Sequence, residues 1–170
     1  MNQSTKNEPS TGKDQVIHKS VTIHAPTTRV WAALTEPALM QRWMAESEIE
    51  ILTDWQVGSP ILIRGVLHKV KFENRGQVLR FEPEKRLQYT HLSSLSRLPD
   101  QIEHHALFEF RLTPLLDQTD LSLTVSNCVS DAIYHHLAFY WPVALNMLRK
   151  LVEDSALRSP YTIVLPTDPQ

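Results

Sequence analysis

The sequence predicts an α+β domain in which a curved antiparallel sheet packs on one long C-terminal helix, with two short helices after the first strand. Three observations carry this. From Ser130 to Leu157, the residues Tyr134, Leu137, Ala138, Trp141, Ala144, Leu145, Leu148, Leu151 and Val152 recur at i, i+3, i+4, i+7 spacing and share one broad face. His135, His136, Asn146, Arg149, Lys150, Glu153 and Asp154 fall on the other face. The stretch from Glu48 to Ser126 breaks into short alternating runs divided by turn residues, the pattern of an antiparallel meander. Ahead of it, two segments punctuated by Pro26 and Pro37 carry short helical apolar faces. A helix as long as the last one extends roughly 40 Å at 1.5 Å per residue. So wide an apolar stripe needs a large partner surface, and the upstream strands can supply one.

Residues 1–15 are polar, contain Pro9 and Gly12, and predict a disordered N-terminal tail. Val21 and Ile23 alternate with Ser20, Thr22 and His24, a half-buried first strand. Ala25-Pro26-Thr27 stops it and opens a helix, since proline is pre-set for a first helical turn and threonine can cap one. Val30, Trp31 and Leu34 form that helix's apolar face. Pro37 pushes its predecessor out of the helical region and can open a second short helix carrying Leu39, Met40 and Trp43. Strands are expected over Glu48–Leu52 and Pro60–Val66, joined near Gly58, then over Val70–Phe72, Gly76–Phe81 and Leu87–Leu92. Glu82-Pro83-Glu84-Lys85 reads as a turn, and Ser93 to Asp100 as a loop. Ile102–Thr113 alternates at Ala106, Phe108, Phe110 and Leu112, and Thr119–Ser126 at Leu121, Leu123 and Val125. Ser130 with Asp131 starts the long helix, a cap followed by an acid at the positive dipole end. Pro142 removes a hydrogen bond inside it and predicts a kink, or two helices meeting near Trp141. Ser159-Pro160 ends it. Residues 158–170 form a C-terminal tail with an apolar patch, Tyr161–Leu165, suited to packing on the domain or on a second subunit. The domain itself is expected over 16–157.

Composition narrows the function classes. A chain of 170 residues with 42% hydrophobic and 21% charged residues fits one globular domain with a real core. A net charge of −2 argues against nucleic acid, which requires a clustered positive field. The single cysteine, Cys128, excludes an internal disulfide and a cysteine zinc site. The N-terminus lacks the apolar core of a secretion signal, and no apolar run approaches the roughly 20 residues that span a bilayer. A cytoplasmic protein without a membrane span is expected.

Local wording adds a resemblance. Ile23-His24-Ala25-Pro26, the run Val30-Trp31-Ala32-Ala33-Leu34-Thr35-Glu36-Pro37 and Arg42-Trp43-Met44 stand at the start. Gly76-Gln77-Val78-Leu79, Glu82-Pro83 and Arg86-Leu87-Gln88-Tyr89-Thr90 follow in the middle. Phe108-Glu109-Phe110-Arg111-Leu112-Thr113-Pro114, Thr119-Asp120-Leu121 and Tyr140-Trp141 close the series. Together they resemble the START-like, or SRPBCC, superfamily, and within it the family named after the activator of the large heat-shock chaperone's ATPase. The resemblance spans residues 16 to 157. It implies a helix-grip fold, with the sheet gripping the C-terminal helix around an apolar cavity. Many relatives have glycine before the helix tryptophan; this chain has Tyr140 there and Pro142 two positions on.

A wide aromatic helix face set against a concave sheet either packs solid or leaves a hollow, and hollows lined this way bind apolar molecules. Trp141, Leu145 and Leu148 are positioned to line one from the helix, and Tyr89, Phe108 and Phe110 from the sheet, with Trp43 at the mouth. Plain core packing is the commoner fate of such stripes. His91 shares a strand face with Tyr89, and His104 shares parity with Phe108, so each is a candidate polar group inside. A neutral histidine held by a backbone carbonyl is commoner than a catalytic base. Glu109 and Arg111 should face water if Phe108 and Phe110 face in. His104 with His105, and His135 with His136, are adjacent pairs without the i, i+4 spacing that puts two ring nitrogens on one ion. No HExxH motif or phosphate-cradling glycine loop occurs, so neither metal nor cofactor is expected. Cys128 reads as an inert buried thiol. Arg149 with Glu153, and Lys150 with Asp154, are i, i+4 pairs on the solvated helix face.

Three functions follow. The first is a binding protein for a small hydrophobic or aromatic molecule in the cavity. The second is a cofactor-independent enzyme of cyclase, dehydratase or hydrolase type, as in some START-like relatives, needing two ionisable groups that converge inside. The third, implied by the family's name, is a regulator that docks on a chaperone ATPase. The apolar tail points weakly to a homodimer.

Overall fold

The computed structural model describes residues 15–157. The tails, with the expected disorder of the first and the apolar patch of the second, lie outside the described residues. Ten elements follow one another: β1 (Ile17–Ile23), α1 (Thr27–Thr35), α2 (Pro37–Met44), β2 (Ile49–Leu52), β3 (Pro60–Leu67), β4 (Val70–Glu82), β5 (Arg86–Ser93), β6 (Ala106–Leu115), β7 (Gln118–Ser126) and α3 (Asp131–Leu157). The seven strands form one antiparallel, curved open sheet in the order β1-β7-β6-β5-β4-β3-β2. Only β1 departs from meander order, because it pairs with the last strand, Ile17 opposite Val125 and Ile23 opposite Thr119. That closure brings α1 and α2, which follow β1, onto the same face as α3.

The long helix runs alongside the first strand. At one end the Gln15 side-chain amide reaches Asp131, and at the other Glu153 accepts the His24 backbone N–H at 3.0 Å and meets its Nδ1 at the same distance. The lengths match: nine residues of extended chain and twenty-two of helix both cover about 30 Å. Arg29 of α1 donates to the Val152 carbonyl at 2.8 Å, serving an oxygen near the helix's negative end. Glu153 is thus committed to His24, and no ion pair within 4 Å joins it to Arg149, which instead donates to Asn146 at 2.8 Å. Among the described residues Lys150 and Asp154 form no ion pair either.

Several local expectations are revised. β4 is one continuous strand, since Glu73, Asn74 and Arg75, too polar to read as strand, all pair with β3, and Asn74 and Arg75 pair with β5 as well. Ile102–His104 is a short 3-10 turn, so β6 begins only at Ala106. α1 is capped by no side chain: Pro26 occupies the N-cap, and the Thr27 hydroxyl donates to Glu84 at 2.7 Å. Pro37 does open α2. Ser130 caps α3, its hydroxyl accepting the Ile133 N–H at 3.3 Å. Pro142 does not divide α3, which is continuous from Asp131 to Leu157. It lies on the exposed side of the helix, where water can serve the carbonyl that loses its donor.

The core fills the space between the sheet's inner face and the helices. Buried Leu121, Leu123 and Val125 of β7, and Ala106, Phe108, Phe110 and Leu112 of β6, meet Leu137, Trp141, Ala144, Leu145, Leu148 and Val152 of α3. β4 comes so near β5 at Gly76 that an added Cβ would lie 1.7 Å from the Thr90 carbonyl oxygen. Only backbone separation relieves that overlap. Gly76→Ala is therefore expected to lower the unfolding free energy by about 3 kcal/mol or more. A urea denaturation curve for the purified variant checks this.

Candidate ligand-binding site between sheet and helix

Strand alternation decides which side chains enter the interior. Tyr89 lies opposite Phe108, Leu87 opposite Phe110, and His91 opposite Ala106, so Leu87, Tyr89 and His91 share the inner face with Phe108 and Phe110. The intervening residues point outward, as expected for Glu109 and Arg111. Glu109 gathers Arg86 Nε at 2.9 Å and Arg111 Nε at 2.6 Å on the solvent side. Burial pushes the Glu109 carboxyl up, but Arg111 and Arg86 outweigh it and hold it below its ordinary value.

Inside, the aromatic rings meet one another directly. Trp141 stands edge-on to Phe108 at 5.3 Å and to Phe110 at 5.6 Å between centroids, and Trp43 of α2 leans on it at 6.4 Å. Tyr89 meets Phe108 at 5.5 Å and Phe110 at 6.1 Å. Leu145 and Leu148 are buried beside Trp141. Of the residues the sequence singled out, Trp43, Tyr89, His91, Phe108, Phe110, Trp141, Leu145 and Leu148 all belong to this one interior. His104 does not: its ring lies in the 3-10 turn with Nδ1 at 2.8 Å from the Pro99 carbonyl oxygen. The strand parity that placed it inward fails because the strand starts two residues later.

Four other participants stand outside the candidates read from the sequence, although Tyr140 is marked there as a departure from many relatives. Trp55 extends the ring series, 5.8 Å from Phe81 and 6.5 Å from Tyr89. It sits in an irregular segment at a positive φ of 59°, where no periodicity marks it. Phe81 continues to Trp31 of α1 at 5.1 Å. Asn74 pairs with Ser93 on the inner face, in a part of β4 not read as strand. Tyr140 lies 5.1 Å from Trp141 and donates its hydroxyl to the Met44 carbonyl at 2.7 Å, tying α3 to α2.

One end of the interior is polar without being charged. His91, half-buried, stacks on Phe108 at 4.7 Å with the planes 19° apart. Burial first, then the nearby imidazoles of His105 and His136, push it down to about 4. Burial first, and then the Tyr140 hydroxyl, push Tyr89 up, and burial pushes Tyr140 up to about 12. All three groups are neutral near pH 7. Two buried atoms here and in the ring cluster, Trp141 Nε1 and Asn74 Oδ1, have no hydrogen-bond partner. The other indoles of the lid side are satisfied, Trp43 by the Ala33 carbonyl at 2.9 Å and Trp55 by the Thr35 carbonyl at 2.7 Å.

Elsewhere, a cleft of about 520 Å³ opens on the outer face between Leu62, Arg75, Thr90 and His105, and another of about 750 Å³ crosses β2, β3 and β4 near Lys71. Cys128 is fully buried, and burial pushes its thiol up, away from reactivity. Among the described residues no three metal-ligating side chains converge, and no helix is long and apolar enough to cross a membrane.

A curved antiparallel sheet holding one long C-terminal helix, with two short helices after its first strand, defines a helix-grip protein of the START-like superfamily. The model of the family described as "Activator of Hsp90 ATPase homolog 1-like protein" matches residues 24–153, and the chain belongs to that family. Solved structures agree. A Cytophaga hutchinsonii protein determined in solution is 28% identical over 85% of this chain and 97% of its own, with a TM-score of 0.71. A Chromobacterium violaceum protein solved by crystallography is 24% identical over 82% and 98%, with a TM-score of 0.69. The Aha1 dimer from Colwellia psychrerythraea, solved in solution, is 22% identical over 82% and 96%, with a TM-score of 0.64. Among curated proteins, none matches this chain.

The depressed His91 has a consequence for stability. Its folded value of about 4 lies below the ordinary 6.5, so between those values the unfolded chain binds a proton that the folded chain refuses. Stability is complete above the ordinary histidine value and declines as pH falls through the window. The lowered carboxylates Glu73, Asp100, Glu109 and Glu153 act further down, below their ordinary 3.8 to 4.5. Urea midpoints measured at about pH 7 and about pH 5 should drop for the native chain and drop less for His91→Gln.

Proposed function

We propose that the protein binds a small hydrophobic or aromatic molecule between the sheet and the C-terminal helix. The observation that carries this reading is the unpartnered Trp141 Nε1, buried within a cluster of rings. A buried donor left unpaired costs about 1–3 kcal/mol, and a guest bearing an acceptor recovers it. The aromatic rings supply the apolar contact, and Tyr89 and His91 at the polar end orient the guest. Because the rings touch one another, entry requires parting Trp43 and α2 from Trp141. The Tyr140 bond to Met44 is the polar link that such a movement must stretch. Catalysis in the same interior would fall to His91, with Tyr89 as its nearest ionisable companion on the strand. His104, the other imidazole considered from the sequence, is held elsewhere by Pro99.

A second reading, contact with a chaperone or with a second copy of the chain, is favoured by a separate feature. Phe139, Val143 and Met147 are 79%, 57% and 43% exposed at i, i+4, i+8 on the outer side of α3. That ridge suits a protein surface, and the family's name and the dimeric Aha1 neighbour point the same way. Cytoplasmic residence accords with either reading.

Titrating the isotope-labelled protein with a panel of lipids and aromatic compounds tests the first reading. At least one compound should shift the Trp141 indole resonance together with those of Tyr89 and Phe108. A panel that leaves all three unmoved removes it. For the second, Val143→Asp should weaken capture of the cognate chaperone, or dimerisation seen in sedimentation, by roughly tenfold, the loss expected when a charge enters an apolar contact.

A further inference from the structure

The polar chemistry of the interior restricts what the guest can be, an inference that rests on the binding site proposed above. Trp141 is 2% exposed, and its Nε1–H, which can only donate, has no partner. Other ring donors of the interior already have acceptors: the Tyr140 hydroxyl donates to Met44, and Trp43 and Trp55 donate to backbone carbonyls, whereas Trp141 Nε1–H is left for a guest's acceptor. The Asn74 amide oxygen is likewise buried and unpartnered. It lies on the same inner face as His91, since Asn74 pairs with Ser93 two residues on.

The inner face of the sheet offers no formal charge to balance a charged guest. From β3 to β7 its polar positions are Asn74, Tyr89, His91, Ser93 and Thr119 among apolar residues and glycine, none of them carrying a formal charge near pH 7. On α3 the Arg149 guanidinium, whose Nε is buried without a partner, is held to Asn146 on the same helix. The titratable groups that reach His91 are the imidazoles of His105 and His136, and the one that reaches Tyr89 is the Tyr140 hydroxyl. The arginines of the sheet are engaged on its outer face, Arg64 and Arg75 with Glu73, Arg86 and Arg111 with Glu109. A carboxylate brought inside would lose its hydration and find one indole N–H in return.

We infer that the interior takes an uncharged aromatic molecule bearing a carbonyl or similar acceptor, seated on Trp141 Nε1, and discriminates against the matching carboxylate. A hydroxyl or amide donor elsewhere on the guest meets the Asn74 oxygen. Ordinary fatty acids and aryl carboxylates are therefore poor guests despite their apolar bodies, and ketones, lactones and phenols are good ones.

Three naphthalenes of one shape test this by calorimetry on the full chain near neutral pH: 2-acetylnaphthalene, 2-methylnaphthalene and 2-naphthoate. The ketone should bind at least tenfold more tightly than the naphthoate and several-fold more tightly than the methyl compound. The Trp141 indole proton should move downfield with the ketone alone. Trp141→Phe should erase the preference of ketone over methyl compound. Should that variant fail to fold, the indole shift in the native chain decides. Naphthoate binding as tightly as the ketone, or a ketone complex with an unmoved indole proton, overturns this inference and leaves the binding site standing. Binding of none of the three overturns both.

Discussion

The fold turns on the wedge that Trp141 drives between α3 and the sheet. Its ring meets Phe108 and Phe110 edge-on from above and receives Trp43 from the side, so one indole joins sheet, long helix and lid. Edge-to-face pairs of this kind favour one relative orientation of the partners, which plain aliphatic burial does not. The helix is held at its ends by polar contacts, Asp131 to Gln15 and Glu153 to His24, which set its direction along β1. Such exposed pairs are weak; the wedge between them sets the depth. Replacing that ring would therefore affect three elements at once, whereas loss of either end contact would affect one.

The two faces of the sheet divide the work. The outer face carries the charge, in clusters where one carboxylate serves two guanidiniums: Glu109 with Arg86 and Arg111, Glu73 with Arg64 and Arg75. Each cluster spans neighbouring strands, one linking β3 to β4 and the other β5 to β6 from the solvent side. The inner face is left without formal charge. Because side chains alternate, each arginine set outward fixes an apolar or neutral residue inward, and a slip of one position would bury a charge. The same alternation that secures the register thus also makes the interior hospitable to uncharged molecules.

How much of this could be read in the sequence depends on the periodicity of each part. The stripe of α3 and the alternation of β6 and β7 are long and regular, and the five candidates read from them, Phe108, Phe110, Trp141, Leu145 and Leu148, are all buried in the core between sheet and helix. Glu73, Asn74 and Arg75 interrupt the strand pattern of β4 in sequence, but pairing with β3 along all three, and with β5 at Asn74 and Arg75, outweighs their low propensity. His104 was placed inward by a parity rule applied two residues beyond the strand's true start. Pro142 reads as a bend or a break, yet it stands seven residues from both His135 and Arg149, on the outward face of the same helical period, and the helix runs on through it. Trp55 has no periodic neighbours, so only the folded chain brings it to Phe81 and Tyr89. β4 and Trp55 depend on contacts between segments distant in sequence, whereas His104 is turned aside by a local 3-10 turn and Pro99 five residues away.

Tyr140, where the resemblance leads one to expect glycine, serves as a structural device. Glycine before the helix tryptophan would leave the space beside the indole open to α2. Here the phenol ring fills it, stands 5.1 Å from Trp141 and fastens its hydroxyl to Met44. Two consequences follow from the same ring. The lid is bonded to the long helix at the point where Trp43 meets Trp141, so the interior is closed by a definite contact instead of by packing alone. And the hydroxyl hydrogen goes to Met44, while Trp141 Nε1 beside it has no hydrogen-bond partner. A chain selected only for stability gains by pairing or removing such a donor. In the proposed complex, the acceptor that this donor lacks within the protein would come from the guest.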